Sequence, residues 1–320
     1  ISSVFSARSL SCLALRWLRA INQSSPIPLY LSKVIMPMNN TATKYSVLMS
    51  VYRNDKPAYL DDAIESMVNQ TLPFNDLVLV CDGPLNDELN SKISIWQNRL
   101  GTRLNVVRLS DNHGLGYALN AGLPACACGI VARMDSDDVS RPDRCERLIS
   151  CLIEDKLDLV GGMIEEFDNT PGDMGSIRNV PLTRDKIVKW ARNRNPFNHV
   201  TVMFRREAVE AAGGYQPFPW MEDYWLWVRM LSNGCACANI PDVLVDVRTG
   251  DGMYARRSNM AYLKSNAAFF KELRKLGLTS RAGEFYSVIQ RIFVTFLPTG
   301  LVKVAYNKLL RSKSGDRVGR

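Results

Sequence analysis

The five residues Leu77–Cys81 are all apolar and stand between Asp76 and the turn sequence Asp82-Gly83-Pro84. A strand without a polar face must be covered on both faces, which is typical of the centre of a parallel sheet packed between helices. Shorter apolar runs predict further strands at Val47–Val51, Leu104–Leu109 and Ile130–Met134. Because helical patterns alternate with these runs, the sequence predicts an α/β fold with a nucleotide-binding, Rossmann-like and mostly parallel sheet flanked by helices.

The helical pattern begins at Pro57, after which Leu60, Ile64 and Met67 fall on one face. Further helices are predicted at Leu89–Leu100, Leu115–Leu123, Arg141–Glu154, Arg206–Ala212 and Tyr224–Asn233. Later strands are predicted at Leu157–Val160, Val200–Phe204 and Val243–Val247. From Ser258 onward the pattern is helical and basic, which predicts a helical C-terminal appendage.

An acidic cluster follows the predicted strand Ile130–Met134, because Asp135, Asp137 and Asp138 come directly after it. The carboxyl end of a parallel strand is where ligands bind in open α/β sheets. Mg²⁺ and Mn²⁺ prefer oxygen ligands and are commonly held by carboxylates together with substrate phosphates. The cluster therefore indicates a metal–diphosphate site. The alternative is an ordinary helix start, in which Asp138 or Ser140 caps the segment that begins near Arg141.

A second acidic pair, Glu222-Asp223, stands among four aromatic residues between Trp220 and Trp227. Aromatic faces pack against the apolar faces of sugar rings, and a carboxylate can accept a hydroxyl proton. The pair therefore favours chemistry on a sugar. The alternative is a helix whose first turn carries acids that suit its dipole, beside a core of tryptophans.

Two common phosphate-binding patterns fail in this chain. It contains no Gly-Lys dipeptide, and the G-x-G-x-x-G pattern that starts at Gly114 has Leu119 in its last position. Asp82, at a strand tip, can accept hydrogen bonds from a base or ribose, or it belongs to a simple Asp-Gly turn. The segment Asn112–Gly122 offers free N–H groups at a helix start to an anion, or it is an ordinary capped loop.

Length and composition limit the classes of protein. The 320 residues leave room for one large α/β domain and an appendage, or for two small domains. The eight cysteines form no C-x-x-C pair and only two histidines accompany them, which argues against a zinc site. The same composition favours a reduced, cytosolic protein with small buried cysteines.

Positive charge is concentrated at the C-terminus, because residues 253–320 carry 14 basic and three acidic residues. The run Ile292–Val302 has no charge, and its eleven residues are too few to span a bilayer, which takes about 20. Flanked by Arg291 and Lys303, the run favours peripheral binding to an anionic membrane surface. The alternative is a helix that caps the α/β domain. No nucleic-acid motif accompanies the charge, so no nucleic-acid partner is expected.

The first acidic residue of the chain is Asp55, and the serine-rich residues before position 36 differ from the rest. Such a segment is typical of a targeting peptide, or of sequence upstream of a start at Met36 or Met38. We expect residues 1–43 to be a disordered leader or upstream sequence.

These motifs, in this order and spacing, resemble the family 2 glycosyltransferases, which have the GT-A fold. The matching segments are Ser50–Asp55, Asp82, Asn112–Gly122, Asp135–Asp138, Gly213-Gly214-Tyr215 and Glu222-Asp223. The later segment Arg248–Arg257 is similar to bacterial exopolysaccharide and capsule enzymes of the amylovoran-biosynthesis type. The resemblance covers about residues 44–260 and implies a glycosyltransferase domain at 44–257. Residues 258–320 are the basic, helical region for which the charge and the apolar run favour membrane association.

The resemblance also implies roles for the matching residues. The nucleotide-sugar donor would be bound by Ser50, Val51, Tyr52, Asp82, Asn112, Gly114, Arg133, Asp135 and Ser136. Asp137 and Asp135 would hold Mn²⁺ or Mg²⁺. Asp223 would be the catalytic base, Glu222 would bind the acceptor or orient the catalytic site, and Trp220 would bind the acceptor. The sequence departs from the commonest nucleoside pattern at Cys81–Pro84, where many members carry two acids and Gly-Ser.

The expected function is therefore inverting, metal-dependent hexosyl transfer from a nucleotide sugar, with a UDP-sugar as the expected donor. The expected acceptor is a lipid-linked oligosaccharide in exopolysaccharide, capsule or O-antigen biosynthesis, at the cytoplasmic face of the bacterial inner membrane. Two alternative functions are considered, because each is compatible with part of the same pattern, either the acidic α/β fold or the basic C-terminal region. One is a nucleotidyltransferase acting on sugar phosphates, and the other is a non-enzymatic, membrane-bound scaffold with a degenerate nucleotide fold.

Overall fold

The computed structural model describes residues 44–249, 260–296 and 312–313. The predicted leader at 1–43 lies outside the described residues, as do residues 250–259, 297–311 and 314–320 with the predictions made for them. The helices are α1 (Pro57–Val68), α2 (Asp87–Leu100), α3 (Leu115–Gly122), α4 (Arg144–Glu154), α5 (Arg184–Trp190), α6 (Arg206–Ala211), α7 (Glu222–Ser232), α8 (Met260–Lys275) and α9 (Arg281–Phe296). The strands are β1 (Ser46–Val51), β2 (Asp76–Cys81), β3 (Leu104–Arg108), β4 (Ile130–Asp135), β5 (Val139–Ser140), β6 (Leu159–Phe167), β7 (Ser176–Arg178), β8 (Met203–Arg205), β9 (Cys237–Arg248) and β10 (Ser312–Lys313).

Four parallel strands form the centre of the sheet, in the order β3-β2-β1-β4. Beyond β4 the sheet continues through β8, β6, β7 and β10, and β8 is antiparallel to both β4 and β6. The long strand β9 pairs parallel with β6 and antiparallel with the short β5. Parallel pairings make up most of the register, so the predicted α/β fold with a mostly parallel sheet is confirmed.

Helices cover both faces of the central strands. On β2, Leu77 and Leu79 face one core together with α1, α2 and α4, while Val78 and Val80 face a second core together with α3 and α7. All four side chains are fully buried, and complete burial of such a side chain contributes about 1.5–3 kcal/mol. The expectation drawn from the apolar run on β2 is thus confirmed.

The chain after the acidic cluster differs from the prediction. The helix predicted at Arg141–Glu154 begins only at Arg144, because Val139 and Ser140 form β5 and pair with β9. The N–H of Arg141 also donates to the carbonyl of Leu244, at 2.9 Å. A cap at Asp138 or Ser140 is therefore wrong, since long-range pairing holds this segment in the sheet.

Two later strands also differ. The strand predicted at Val200–Phe204 is a 3₁₀ turn at His199–Thr201 followed by β8. The strand predicted at Leu157–Val160 extends instead to Phe167, because its acidic residues have partners inside the fold. Glu165 pairs with Arg141 at 2.6 Å, and Glu166 accepts a hydrogen bond from Ser176 at 2.9 Å.

The predicted C-terminal helices are present as α8 and α9, which pack against the α/β domain. Phe269 and Phe270 of α8 are buried in the second core, and Ser287 of α9 is fully buried. The opposite face of α9 exposes Phe285 (69%) and Ile292 (38%). Among the described residues, no helix is both long enough and apolar enough to cross a bilayer.

Candidate active site

The parallel register brings the predicted donor-site residues to one edge of the sheet. Ser50 on β1 lies beside Asp135 on β4, and Val51 lies beside Cys81, the residue before Asp82. Because the carboxyl ends of parallel strands meet at the same edge, residues far apart in sequence converge there. The predicted positions on β1, β2 and β4 therefore lie together at one edge of the sheet.

The acidic cluster forms a compact group of carboxylates at the end of β4. Oxygens of Asp135, Asp137 and Asp138 all lie within 4.8 Å of one another. Asp135 is half-buried and pairs with Arg133, while Asp138 is buried and accepts the backbone N–H of Arg248 at 2.9 Å. Asp137 is the exposed member of the group.

Burial and repulsion from neighbouring carboxylates raise the pKa values of Asp137 and Asp138. The surrounding protein, which partly desolvates Asp137, and the charges of Asp135 and Asp55 raise the pKa of Asp137 to about 7. Burial raises the pKa of Asp138 well above its usual range, and Asp137 and Asp135 add to that rise. A divalent cation is the ligand that relieves such repulsion, and three carboxylate oxygens fit the preference of Mg²⁺ and Mn²⁺.

Sequence reasoning did not assign a role to Asp55, which belongs to this group. Its carboxylate accepts the hydroxyl hydrogen of Ser136 at 2.8 Å and the N–H of Tyr52 at 3.1 Å. Burial raises the pKa of Asp55, and the charge of Asp135 adds to the rise. The available signal was the position of Asp55 at the end of the Ser50–Asp55 segment.

Arg248 also supports the acidic cluster and had no role assigned from the sequence. Its guanidinium lies over the rings of Tyr59 (3.8 Å) and Phe167 (4.6 Å), and its Nε donates to the carbonyl of Asp137 at 3.1 Å. Together with the N–H that it donates to Asp138, Arg248 fixes the backbone that presents these two acids. Contacts across 110 residues leave no local signal in a sequence.

Asp82 shapes the neighbouring loop. Its two carboxylate oxygens accept the backbone N–H groups of His113 and Gly114, both at 2.9 Å. Gly83, at φ +83°, allows the close approach, because a Cβ there would lie 2.7 Å from the backbone nitrogen of Asn112. Asp82 therefore positions the segment Asn112–Gly114, and its contact with a nucleoside remains a prediction.

The predicted donor-site residues Val51 and Tyr52, at the end of β1, differ in how accessible their side chains are to a ligand. The side chain of Val51 is buried, and its carbonyl accepts the N–H of Asp82 at 2.8 Å. Tyr52 exposes 40% of its surface at the edge of the sheet. Of the two, Tyr52 is the residue whose side chain can meet a ligand.

Helix α3, which follows the loop Asn112–Gly114, contacts the second acidic pair, Glu222–Asp223. A Cβ on Gly116 would lie 3.3 Å from the Cβ of Glu222, so the two helices meet closely there. The N–H of Tyr215 donates to the side chain of Asn120 at 2.8 Å, which joins α3 to the turn before α7. The loop at 112–116 and the acidic pair are therefore neighbours in space.

Glu222 and Asp223 open α7, so the predicted helix starts two residues earlier than expected. Burial raises the pKa of Glu222, and the neighbouring Asp223 adds to the rise. Burial also raises the pKa of Asp223, although N–H groups from Tyr224 and Asn195 oppose that rise. A carboxylate with a raised pKa is suited to accept a proton.

Trp220 stands just before this pair in an unusual conformation. Its backbone has φ +64°, and its side chain is 45% exposed. Tyr262 of α8 meets the indole edge-on, with ring centroids 6.0 Å apart. The exposed indole can therefore pack against a sugar ring beside the acidic pair.

Arg133 lies between the two acidic groups. Its buried guanidinium pairs with Asp135, while its Nε and Nη1 atoms have no hydrogen-bond partner among the described residues. Its charge opposes the raised pKa of Asp137 on one side and of Glu222 and Asp223 on the other. A buried cation with free donors, placed between two acidic sites, is suited to a negatively charged ligand.

Residues 46–213 match a family model described as Glycosyl transferase family 2. The amylovoran biosynthesis glycosyltransferase AmsE of Erwinia amylovora is 39% identical over 268 residues, which are 82% of this chain and 98% of that protein. An Escherichia coli protein named UDP-Gal:alpha-D-GlcNAc-diphosphoundecaprenol beta-1,3-galactosyltransferase is 36% identical over 275 residues, which are 86% of this chain and 99% of that protein.

A solved structure shares the fold. It is the mannosyltransferase PcManGT from Pyrobaculum calidifontis in complex with GDP-Man and Mn²⁺, with a TM-score of 0.59 at 17% identity. The match covers 93% of this chain and 82% of that one. It supports the GT-A architecture expected from the sequence motifs.

Proposed function

Because this chain is a glycosyltransferase that belongs to glycosyl transferase family 2, we propose that it transfers a sugar from a nucleotide-sugar donor to a lipid-linked saccharide with inversion. The observation that carries the proposal is the buried guanidinium of Arg133, which pairs with Asp135 of the acidic cluster and keeps two donor atoms without a partner among the described residues. A donor diphosphate beside Arg133 would place the sugar next to Asp223.

Asp135 and Asp137, with Asp138 beside them, would hold Mn²⁺ or Mg²⁺ at the donor site. When bound, the cation supplies neutralisation of the negative charge that develops on the leaving diphosphate. Arg133 adds a fixed positive charge there. Ser50 lies at the same edge, where Asp55 bonds both Tyr52 and Ser136, and Asp82 fixes the neighbouring loop through the N–H groups of His113 and Gly114.

Asp223 would act as the base in a single displacement. The acceptor hydroxyl oxygen forms a bond to the anomeric carbon as the bond from that carbon to the diphosphate oxygen breaks, and the hydroxyl proton passes to Asp223. Attack from the face opposite the leaving group inverts the anomeric configuration. Glu222 and the exposed Trp220 would orient the acceptor sugar.

We further propose a UDP-sugar as donor and a diphosphate-linked lipid as acceptor, as in the name of the Escherichia coli relative. An acceptor of this kind lies in the membrane, and the exposed apolar face of α9 on a basic C-terminal region is suited to an anionic surface. The protein would therefore act peripherally at the cytoplasmic face of the bacterial inner membrane, in exopolysaccharide, capsule or O-antigen synthesis.

The Asp223→Asn variant tests the proposal, because it keeps the shape of the side chain and cannot take up the proton. Turnover with a UDP-sugar and a lipid diphosphate acceptor should fall by about 10²–10⁴-fold. Donor affinity measured by calorimetry should stay near that of the unchanged protein. Near-normal turnover would move the base elsewhere, and Glu222→Gln is the variant to measure next.

A further inference from the structure

The carboxylate of Asp223 is held by a side chain from a distant loop. Nδ2 of Asn195 donates to Oδ2 of Asp223 at 2.6 Å. The other end of the same amide accepts the backbone N–H of Phe197 at 3.3 Å, which fixes the direction in which the NH₂ group points. The amide of Asn195 therefore engages Oδ2 of Asp223 and fixes the rotation of this carboxylate.

This contact bears on catalysis because a general base works by geometry first. A base must lie within hydrogen-bonding distance of the proton that it removes. Misplacement of a catalytic group by about 1 Å can cost about 100-fold in rate. An amide that fixes the rotation of a carboxylate limits such misplacement.

The loop that carries Asn195 is in turn bound by the C-terminal helices. The hydroxyl of Ser287 donates to Oδ1 of Asn193 at 2.7 Å, and Nη2 of Arg291 donates to the carbonyl of Asn193 at 2.6 Å. Nε of Arg291 also donates to Asn266 on α8, at 3.2 Å. Ser287 and Asn266 are buried, so these bonds form inside the interface.

The start of the same loop is bound by α7, the helix that carries Asp223. The hydroxyl of Tyr224, the residue after Asp223, donates to the carbonyl of Ala191 at 2.8 Å. The ring of Tyr224 packs on Phe269 of α8, with centroids 4.3 Å apart. The loop at 191–195 therefore lies between the catalytic helix and the C-terminal helices, and is bonded to both.

We propose that Asn195 is a positioning residue for the Asp223 carboxylate, and that α8 and α9 keep it in place through Asn193. The inference rests on the proposed role of Asp223 as the base. It gives the C-terminal helices a part in catalysis besides any part in membrane binding.

Asn195→Ala should lower kcat by about tenfold to a hundredfold, with little change in the KM for the donor. The acid limb of the kcat–pH profile should also move to higher pH, because a hydrogen bond that favours the charged carboxylate is lost. The other groups that face Asp223 are unchanged in this variant; they are Glu222, Arg133, Arg178, Tyr215 and Tyr224. Asn195→Asp, which sets two carboxylates together, should shift the limb further.

The helix contacts are tested by Ser287→Ala and Arg291→Ala. Each should lower kcat by roughly fivefold, the worth of about one hydrogen bond, and move the acid limb in the same direction. Arg274→Ala is the matched control, because it breaks an ion pair between α8 and α9 and leaves the 191–195 loop untouched. Its kcat and pH profile should equal those of the unchanged protein.

Measurements in the Asp223→Asn variant distinguish failure of the proposed base from failure of the positioning role of Asn195. There, Asn195→Ala should cause no further loss of the residual turnover, because the group that it positions is gone. If Asp223→Asn itself keeps normal turnover, the proposed function fails at its base. If Asp223→Asn loses turnover but Asn195→Ala retains the normal kcat and pH profile, the positioning role alone is overturned. A further loss of turnover when Asn195→Ala is added to Asp223→Asn would also overturn it, because Asn195 would then act on a group other than the Asp223 carboxylate.

Discussion

Four carboxylates lie around the end of β4, and the protein holds each one differently. Asp55 is bonded by Ser136, Asp135 by Arg133, and Asp138 by the backbone of Arg248. Asp137 is the exposed member, and its pKa is raised to about 7. Asp137 is therefore the acid that can be removed with least effect on the fold.

Asp137→Ala should abolish the Mn²⁺-dependent part of donor binding while the protein stays folded. Loss of a group that merely supports a ligand costs about 10–100-fold in metal affinity, so loss of a ligand should cost no less. Calorimetry with UDP or a UDP-sugar, with and without EDTA, measures this. Glu88→Ala, which removes an exposed carboxylate from α2, is the control. Unchanged donor affinity in Asp137→Ala would contradict the metal assignment.

The raised pKa of Asp137 also predicts how metal binding depends on pH. Below about pH 7 the carboxylate holds a proton that a cation must displace, so affinity at pH 6 should be about tenfold lower than at pH 8. Without metal, the folded state keeps this proton while the unfolded chain has lost it, so stability should decline as pH rises from about 4 to 7. Mn²⁺ should therefore raise the unfolding temperature more at pH 8 than at pH 6. An equal rise at both would show that Asp137 does not bind the ion.

At the scale of elements, sequence periodicity located the central strands and the acids that follow them. Those positions are local properties, since an apolar run such as Leu77–Cys81 needs no distant partner to be recognised. Pairing between β5 and β9 depends on residues about 100 positions apart. Local patterns do not show such pairing, and for that reason the predicted start of α4 was wrong. The contacts of Asp55 and Arg248 were not predicted for the same reason, because their partners lie far away in sequence.

Helix α3 approaches the sheet at Gly122. A Cβ there would lie 2.5 Å from Cγ2 of Val80 and 2.7 Å from Cδ1 of Leu48, both in the centre of the sheet. Gly122→Ala should therefore lower the free energy of unfolding by about 1–3 kcal/mol, the usual cost of overpacking a core. Urea unfolding measures it, and Gly129→Ala, where a Cβ meets nothing within 4 Å, is the control. Equal stability of the two variants would contradict the close packing of α3 against Val80 and Leu48.

The outer face of α9 should contribute to membrane binding. Phe285→Glu should weaken binding to anionic phospholipid vesicles by about tenfold or more, because burial of a phenylalanine is worth about 1.5–3 kcal/mol. Ile95→Glu, which changes an apolar residue on α2 that is 58% exposed, is the control and should bind normally. Equal vesicle binding by both variants, measured by co-sedimentation at low and high salt, would remove α9 from the membrane contact.

Considered as a whole, the molecule places the proposed catalytic residues where three of its parts meet. The sheet edge supplies the acidic cluster, α3 and α7 bring the Glu222–Asp223 pair beside it, and α8 and α9 pack behind that pair. The sequence predicted the acids and their chemistry through the family resemblance. It did not predict that the C-terminal helices touch the loop next to Asp223, because that contact joins Asn193 to Ser287 across 94 residues.

The central claim is metal-dependent sugar transfer with inversion. The direct test incubates the full chain with a panel of UDP-sugars, a GlcNAc-diphosphate lipid and Mn²⁺, and follows release of UDP and formation of glycosylated lipid. At least one donor should yield a product that EDTA abolishes, with an anomeric configuration, determined by NMR, opposite to that of the donor. Retention of configuration, transfer that persists in EDTA, or formation of a nucleotide sugar from a nucleoside triphosphate and a sugar phosphate would contradict the account.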